Sequence, residues 1–167
     1  SSAASDVYKR QSLAGMSELL RQLESRILIA PMAGGPSTPQ LVTAADNAGS
    51  FGFLAFGTTP VDRVQSMLAS IDSGVRYGVN LFAPQTPVEI TEEISRFHQQ
   101  LQRDYGVAEQ LADPDYTNGW QDKLDAVISA DNPPAVVSST FGCFSAAEIS
   151  RLHEAGIEAW VTVTSIE

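Results

Sequence analysis

Five short apolar runs punctuate the chain, and each leads through small residues into a helix-opening signature. They are Ile27–Ala30 ("ILIA"), Phe51–Phe56 ("FGFLAF"), Tyr77–Phe82 ("YGVNLF"), Ala135–Ser139 ("AVVSS") and Ala159–Val163 ("AWVTV"). Runs this apolar read as strands covered on both faces. Behind the first, Thr38-Pro39 pairs a threonine N-cap with proline at the first helical position. The helix so opened carries Leu41, Val42, Ala45 and Ala48 and stops at Gly49, a natural left-handed C-cap. Thr59-Pro60 opens a second helix in the same way, over Val61–Ile71. Thr86-Pro87-Val88-Glu89 and Ser145-Ala146-Ala147-Glu148 read as capping boxes, and Thr164-Ser165-Ile166-Glu167 has the same shape.

The strands begin near positions 27, 51, 77, 135 and 159, so most strand–helix units span roughly 25 residues. Residues 87–132 break the rhythm. They hold a long polar helix to about Tyr105, a Pro/Asp/Asn loop, and a helix with Trp120, Leu124, Val127 and Ile128 at helical spacing. This predicts a helical insertion. A short amphipathic helix, Met16–Glu24, precedes the first strand, with Leu19, Leu20 and Leu23 on one side. Alternating strands and helices imply a parallel sheet covered by helices, either an open doubly wound sheet or part of an eightfold barrel. A capping box with no helix behind it favours the second. The expected fold class is α/β, a parallel (β/α)8 TIM barrel truncated to about its first five βα units, since a whole one needs about 250 residues.

Composition narrows this picture by exclusion. A net charge of −10 argues against nucleic acid and against anionic membrane surfaces. The single cysteine, Cys143, rules out an internal disulfide and a cysteine-rich metal site. No apolar run approaches the ~20 residues of a membrane span, and the N-terminus lacks a signal-peptide core, so a cytoplasmic protein is expected. Asp6–Gln11 ("DVYKRQ") resembles the translated end of a sequencing-library adapter. Residues 1–15 are therefore expected to be an adapter-derived or disordered tail, with Met16 as a natural start and 16–167 as the incomplete barrel.

In either parallel architecture, ligands sit at the carboxyl ends of the strands. Five loops matter there: Pro31–Ser37, Gly57–Thr59, Asn80–Gln85, Ser138–Phe144 and Thr162–Ser165. None holds Asp, Glu, Lys or His, a poor set for acid–base work and a good one for a flat, neutral, hydrogen-bonding ring. Pro31-Met32-Ala33-Gly34-Gly35 allows a ring to lie close against backbone groups. Asn80 ends an apolar strand, where its donor and acceptor together match an imide or pyrimidine edge. Thr162 and Thr164 alternate with Val161 and Val163, so both share one face, and Ser138, Ser139 and Thr140 form another polar strand end. His98 and His153 stand among polar neighbours on helices and read as solvated. Cys143, in an apolar "FGCF" turn, reads as packed rather than nucleophilic. No metal-ligand spacing is present, so no metal site is expected.

The run "ILIAPMAGGPSTPQLVTAADNAGSFGFLAF" resembles the start of the nitronate monooxygenase family, also called 2-nitropropane dioxygenases. "YGVNLF", "PAVVSSTFG" and "LHEAGIEAWVTVTS" follow in that family's order and approximate spacing, so the resemblance covers Arg26–Glu167. It implies an FMN-binding (β/α)8 barrel acting on a small-molecule substrate and O2. Ala30, Pro31, Met32, Ala33 and Gly34 would line the flavin through their backbone, Asn80 would hydrogen-bond it, and Thr162 would face it, at a position where some relatives carry lysine. The family's histidine base follows the sixth strand, and its phosphate-gripping loops follow the seventh and eighth. Both would lie beyond Glu167, which leaves no catalytic residue expected in this chain. The resemblance implies oxidation of alkyl nitronates with O2 to a carbonyl compound and nitrite. A close alternative is an FMN-dependent enoyl-thioester (enoyl-ACP) reductase. A non-catalytic half-barrel is the alternative of another class.

Overall fold

The computed structural model describes residues 17–107 and 115–165. The expected tail (1–15), the proposed start at Met16 and the last two residues of the final capping-box pattern lie outside them. The strands are β1 (Leu28–Ile29), β2 (Phe51–Ala55), β3 (Gly78–Phe82), β4 (Val136–Thr140) and β5 (Glu158–Val161). The helices are α1 (Glu18–Gln22), α2 (Pro39–Asn47), α3 (Val61–Ala69), α4 (Glu92–Tyr105), α5 (Trp120–Ile128) and α6 (Ala146–Glu154).

All neighbouring strands pair in parallel, in the order β1-β2-β3-β4-β5. That order decides between the two architectures left open by the sequence. A doubly wound sheet reverses its strand order at a switch point, and this one never does. Right-handed crossovers that always step the same way put every crossover helix on one side, as in a barrel wall. The result is five consecutive strands of a (β/α)8 fold, joined by four helical crossovers.

The two faces of the wall differ accordingly. On the helix side, Leu54, Val79, Leu81 and Val137 pack with Val42, Val64, Leu68, Leu124, Val127 and Leu152, all fully or almost fully buried. The inner side is built in rows by the register. Phe53, Gly78, Val136 and Glu158 form one row, and Ala55, Asn80, Ser138 and Trp160 form the next toward the carboxyl ends. Gly78 has no alternative there: a Cβ would stand 2.4 Å from the Phe53 ring.

The helix starts are partly as predicted. Thr38 caps α2 by accepting from the Leu41 N–H, and Ser145 with Glu148 forms a reciprocal capping box on α6. Gly49 takes φ +67° just beyond α2. Thr59 does not cap α3; its hydroxyl turns back to the Ala55 carbonyl at 3.0 Å, and Pro60 takes the cap position. Nor does Thr86 open a helix. Gln85 donates its N–H to the Tyr116 carbonyl and its side-chain amide to three carbonyls, holding the chain away from helical geometry. Thr91 caps α4 instead, ahead of two glutamates that suit the positive end of a helix. Cys143 is exposed, not packed. Phe141, at φ +69°, turns the chain so that Phe144 goes inward against Trp120, at 5.2 Å between ring centroids. His153 is exposed as expected, but His98 is half-buried on α4.

Candidate functional site

The β1–α2 loop is held from below and open above. The buried Ser37 hydroxyl accepts the Met32 N–H at 2.8 Å, which closes the turn on itself. Gly34 and Gly35 adopt φ +82° and +114°, and a Cβ on either would meet nothing within 4 Å. Those angles suit glycine, and the open space above them leaves room for a ligand to approach the backbone. Ala30, Met32, Ala33 and Gly34 are exposed, and Pro31 is half-buried. A cleft of about 390 Å³ runs from this loop to Ala55, Thr58 and Thr59 at the end of β2.

Asn80 sits on the inner face, 5% exposed, between Ala55 and Ser138. Its Nδ2 donates to Ser138 Oγ (2.9 Å), Thr140 Oγ1 (3.0 Å) and the Ser138 carbonyl (3.3 Å). The donor half of the expected donor–acceptor pair is therefore spent inside the protein. Among the described residues nothing donates to Oδ1, so Asn80 offers a ligand one acceptor. The polar row continues sideways. Thr140 Oγ1 donates to Thr162 Oγ1 at 3.5 Å, and the Thr162 N–H is tied to the Ser139 carbonyl at 2.9 Å. The exposed Thr162 is thus brought to Asn80 through Thr140. Thr164 is exposed as well.

Beneath this row lies an apolar floor. Phe51, Phe53 and Val136 cluster with Leu19 of α1, and Trp160 packs on them, 5.8 Å from Phe53 between ring centroids. Glu158 fixes the arrangement by accepting the Trp160 indole N–H (2.9 Å) and the Leu19 N–H (3.2 Å). Trp160 was not singled out from the sequence, although its position two before Thr162 puts both on one face. The floor sets an apolar surface next to the amide and hydroxyls of the row, the mixed lining that suits a small-molecule site.

One charge reaches the strand ends from outside the loops. Lys123 of α5 is 4% exposed, and its Nζ donates to the carbonyls of Phe56 and Gly57, both at 2.9 Å. Burial pulls its pKa below the usual lysine range, and the nearby Asp115 carboxylate opposes that pull. The sequence did carry a signal. Trp120, Lys123, Leu124 and Val127 fall at i, i+3, i+4 and i+7, so the lysine occupies the apolar stripe itself. His153 stands in the last turn of α6, at the opposite end from the strand carboxyl termini, because α6 runs against the strands. Among the described residues no group of three or more His, Cys, Asp or Glu could hold a metal.

The site is therefore a small-residue loop, one buried amide acceptor and a row of hydroxyls over an aromatic floor held by Glu158, with no acid or base among the described residues of the row itself. A family profile described as nitronate monooxygenase matches residues 17–167. The chain belongs to the nitronate monooxygenase family. A probable nitronate monooxygenase of Staphylococcus saprophyticus is 31% identical over 146 residues, which is 84% of this chain and 40% of that protein. A nitronate monooxygenase of Paraburkholderia phytofirmans is 27% identical over 151 residues, 87% of this chain and 41% of that protein. A crystal structure of nitroalkane oxidase from Streptomyces ansochromogenes superposes with a TM-score of 0.77 at 33% identity, covering 89% of this chain and 43% of that one. The chain thus spans about two fifths of the length of these family members.

Proposed function

We propose that the protein of which this chain forms the first five strand–helix units is an FMN-dependent nitronate monooxygenase. It would oxidise alkyl nitronates with O2 to a carbonyl compound and nitrite. The observation that carries the reading is the unpartnered Oδ1 of the buried Asn80, beside Ala55, which lines the same cleft as Met32, Gly34 and Gly35. A flavin ring has a flat apolar body and an edge of imide donors and acceptors, and the residues present fit it. Ala30 to Gly34 would lie along the ring with their backbone, Asn80 Oδ1 would accept an imide N–H, and Thr162 would close the side. When bound, the flavin supplies the electron-transfer chemistry. The chain's own part is to orient the ring, exclude water from its lower face through Phe53 and Trp160, and hold the polar row fixed.

Neither described histidine is placed to act as the base, His153 being at the far end of its helix and His98 on a helix with no buried side chain. The base is accordingly assigned to the chain following β5, as the family resemblance implies, and the fragment by itself is expected to be inactive. The relatives named above carry nitronate or nitroalkane names, which supports this reading over enoyl-thioester reduction. The test is O2 consumption with nitrite release on adding an alkyl nitronate to the FMN-loaded protein. NADH-dependent reduction of an enoyl thioester without nitrite formation would reverse the choice.

A further inference from the structure

The flavin reading leaves the most unusual charge in the fold without a role. Lys123 holds two successive peptide carbonyls, Phe56 and Gly57, on one ammonium. In an extended chain successive carbonyls point to opposite sides, so this convergence marks a local turn. No peptide bond here is cis, and a trans peptide carries its N–H opposite its C=O. The N–H groups of Gly57 and Thr58 therefore both point away from the ammonium.

Neither of those N–H groups has an acceptor among the described residues, whereas the flanking Phe56 N–H donates to Asn80 O (2.9 Å) and the Thr59 N–H to Phe56 O (3.3 Å). Gly57 is a buried residue and Thr58 an exposed one, and an open N–H on a buried residue is uncommon. Two adjacent free N–H groups form a concavity that suits an anion. A cation behind both carbonyls polarises the two peptides in the sense that strengthens their N–H groups as donors. Thr58 also lines the cleft that contains Met32, Gly34 and Ala55.

We propose that Lys123 is a positioning residue: it turns the Phe56–Thr58 peptides so that the Gly57 and Thr58 N–H groups receive an anionic oxygen of the substrate. The choice of an alkyl nitronate as that substrate rests on the function proposed above; the paired donors do not. The expected order of events is simple. The nitronate oxygen docks on the two amides, and its carbon is thereby fixed relative to the wall that carries Asn80.

The experiment is a titration of 15N-labelled protein with propane-2-nitronate, following the Gly57 and Thr58 amides, with FMN binding measured separately by flavin fluorescence. Both amide protons are expected to move downfield saturably with the nitronate and to stay put with neutral 2-nitropropane. Lys123→Met is expected to weaken nitronate binding about tenfold, as for loss of one charge-assisted contact, and Lys123→Arg to recover most of that loss. Unmoved Gly57 and Thr58 amides at nitronate saturation would overturn the proposal, as would a folded Lys123→Met protein with unchanged nitronate affinity. If Lys123→Met loses its amide dispersion, the wild-type titration still decides. FMN binding with unmoved amides removes the role of Lys123 and leaves the flavin reading; moved amides without FMN binding do the reverse.

Discussion

At the scale of single residues, the site depends on how Asn80 divides its two ends. Its Nδ2 is committed to Ser138 and Thr140, which fixes the side-chain plane and presents Oδ1 at a constant angle. Removing it therefore costs both a ligand acceptor and the rigidity of a buried polar row. Asn80→Ala is expected to weaken FMN binding about five- to tenfold, the worth of roughly 1 kcal/mol for one neutral hydrogen bond; a fluorescence-quenching titration measures it. A variant that binds FMN like the wild type would remove Asn80 from the site. Gly34 makes a different kind of contribution. At φ +82°, with nothing within 4 Å of its missing Cβ, Gly34→Val should fold but lose about 1–3 kcal/mol in thermal or urea unfolding. Its left-handed turn could be read from "AGG" after a strand, as could the place of Asn80 near a strand's carboxyl end. The spent donor of Asn80 could not, because it depends on a register between strands 58 residues apart in sequence.

At the scale of elements, local signals and tertiary ties divided the work. Strands β1 to β5, helices α2, α3, α5 and α6, and the Ser145–Glu148 capping box were legible, because apolar runs and cap residues act over a few positions. The start of α4 was not. Two capping patterns compete between Thr86 and Glu93, and the one chosen is the one left after Gln85 is anchored to Tyr116 and Phe141. Trp160 escaped for the same reason, its role being set by a ring on another strand; Lys123 stood in the apolar stripe of α5, but the carbonyls it holds come from the distant β2–α3 loop. Glu148 joins elements most directly, since Oε1 accepts the Trp120 indole N–H and the Gln121 amide while Oε2 closes the α6 cap. Burial alone would raise its pKa, but the hydrogen bonds from Ser145, Trp120 and Gln121 outweigh it and hold the carboxyl below its usual 4.5. A carboxylate that ionises more readily folded than unfolded stabilises the fold above pH 4.5, and that stability drains as pH falls through its lowered value. Because solvent screens a carboxylate this exposed, Glu148→Gln is expected to cost no more than about 1 kcal/mol at neutral pH, with the gap closing in acid below the folded pKa. Urea midpoints at the two pH values check it; a gap that persists in acid would show that charge is not its cause. Leu124→Ala, fully buried beside the same lysine-bearing turn, should cost about 2–5 kcal/mol by the same measurement.

At the scale of the whole molecule, sequential parallel strands give a curved wall with two unlike faces, one packed by helices and one graded from aromatic floor to polar rim. Function follows from that gradient. On the proposed function, the floor would keep water from the lower side of the ring, the rim would supply the hydrogen bonds, and the 30–34 loop would let the backbone come close. The central claim is that this inner face, at the carboxyl ends of β1, β3 and β5, holds FMN. A crystal structure of the protein with FMN bound tests it most directly. The flavin ring is expected against the backbone of Ala30 to Gly34, with Asn80 Oδ1 within hydrogen-bond distance of its imide edge and Thr162 beside it. A flavin found elsewhere, or one that leaves Asn80 Oδ1 without contact, would contradict it.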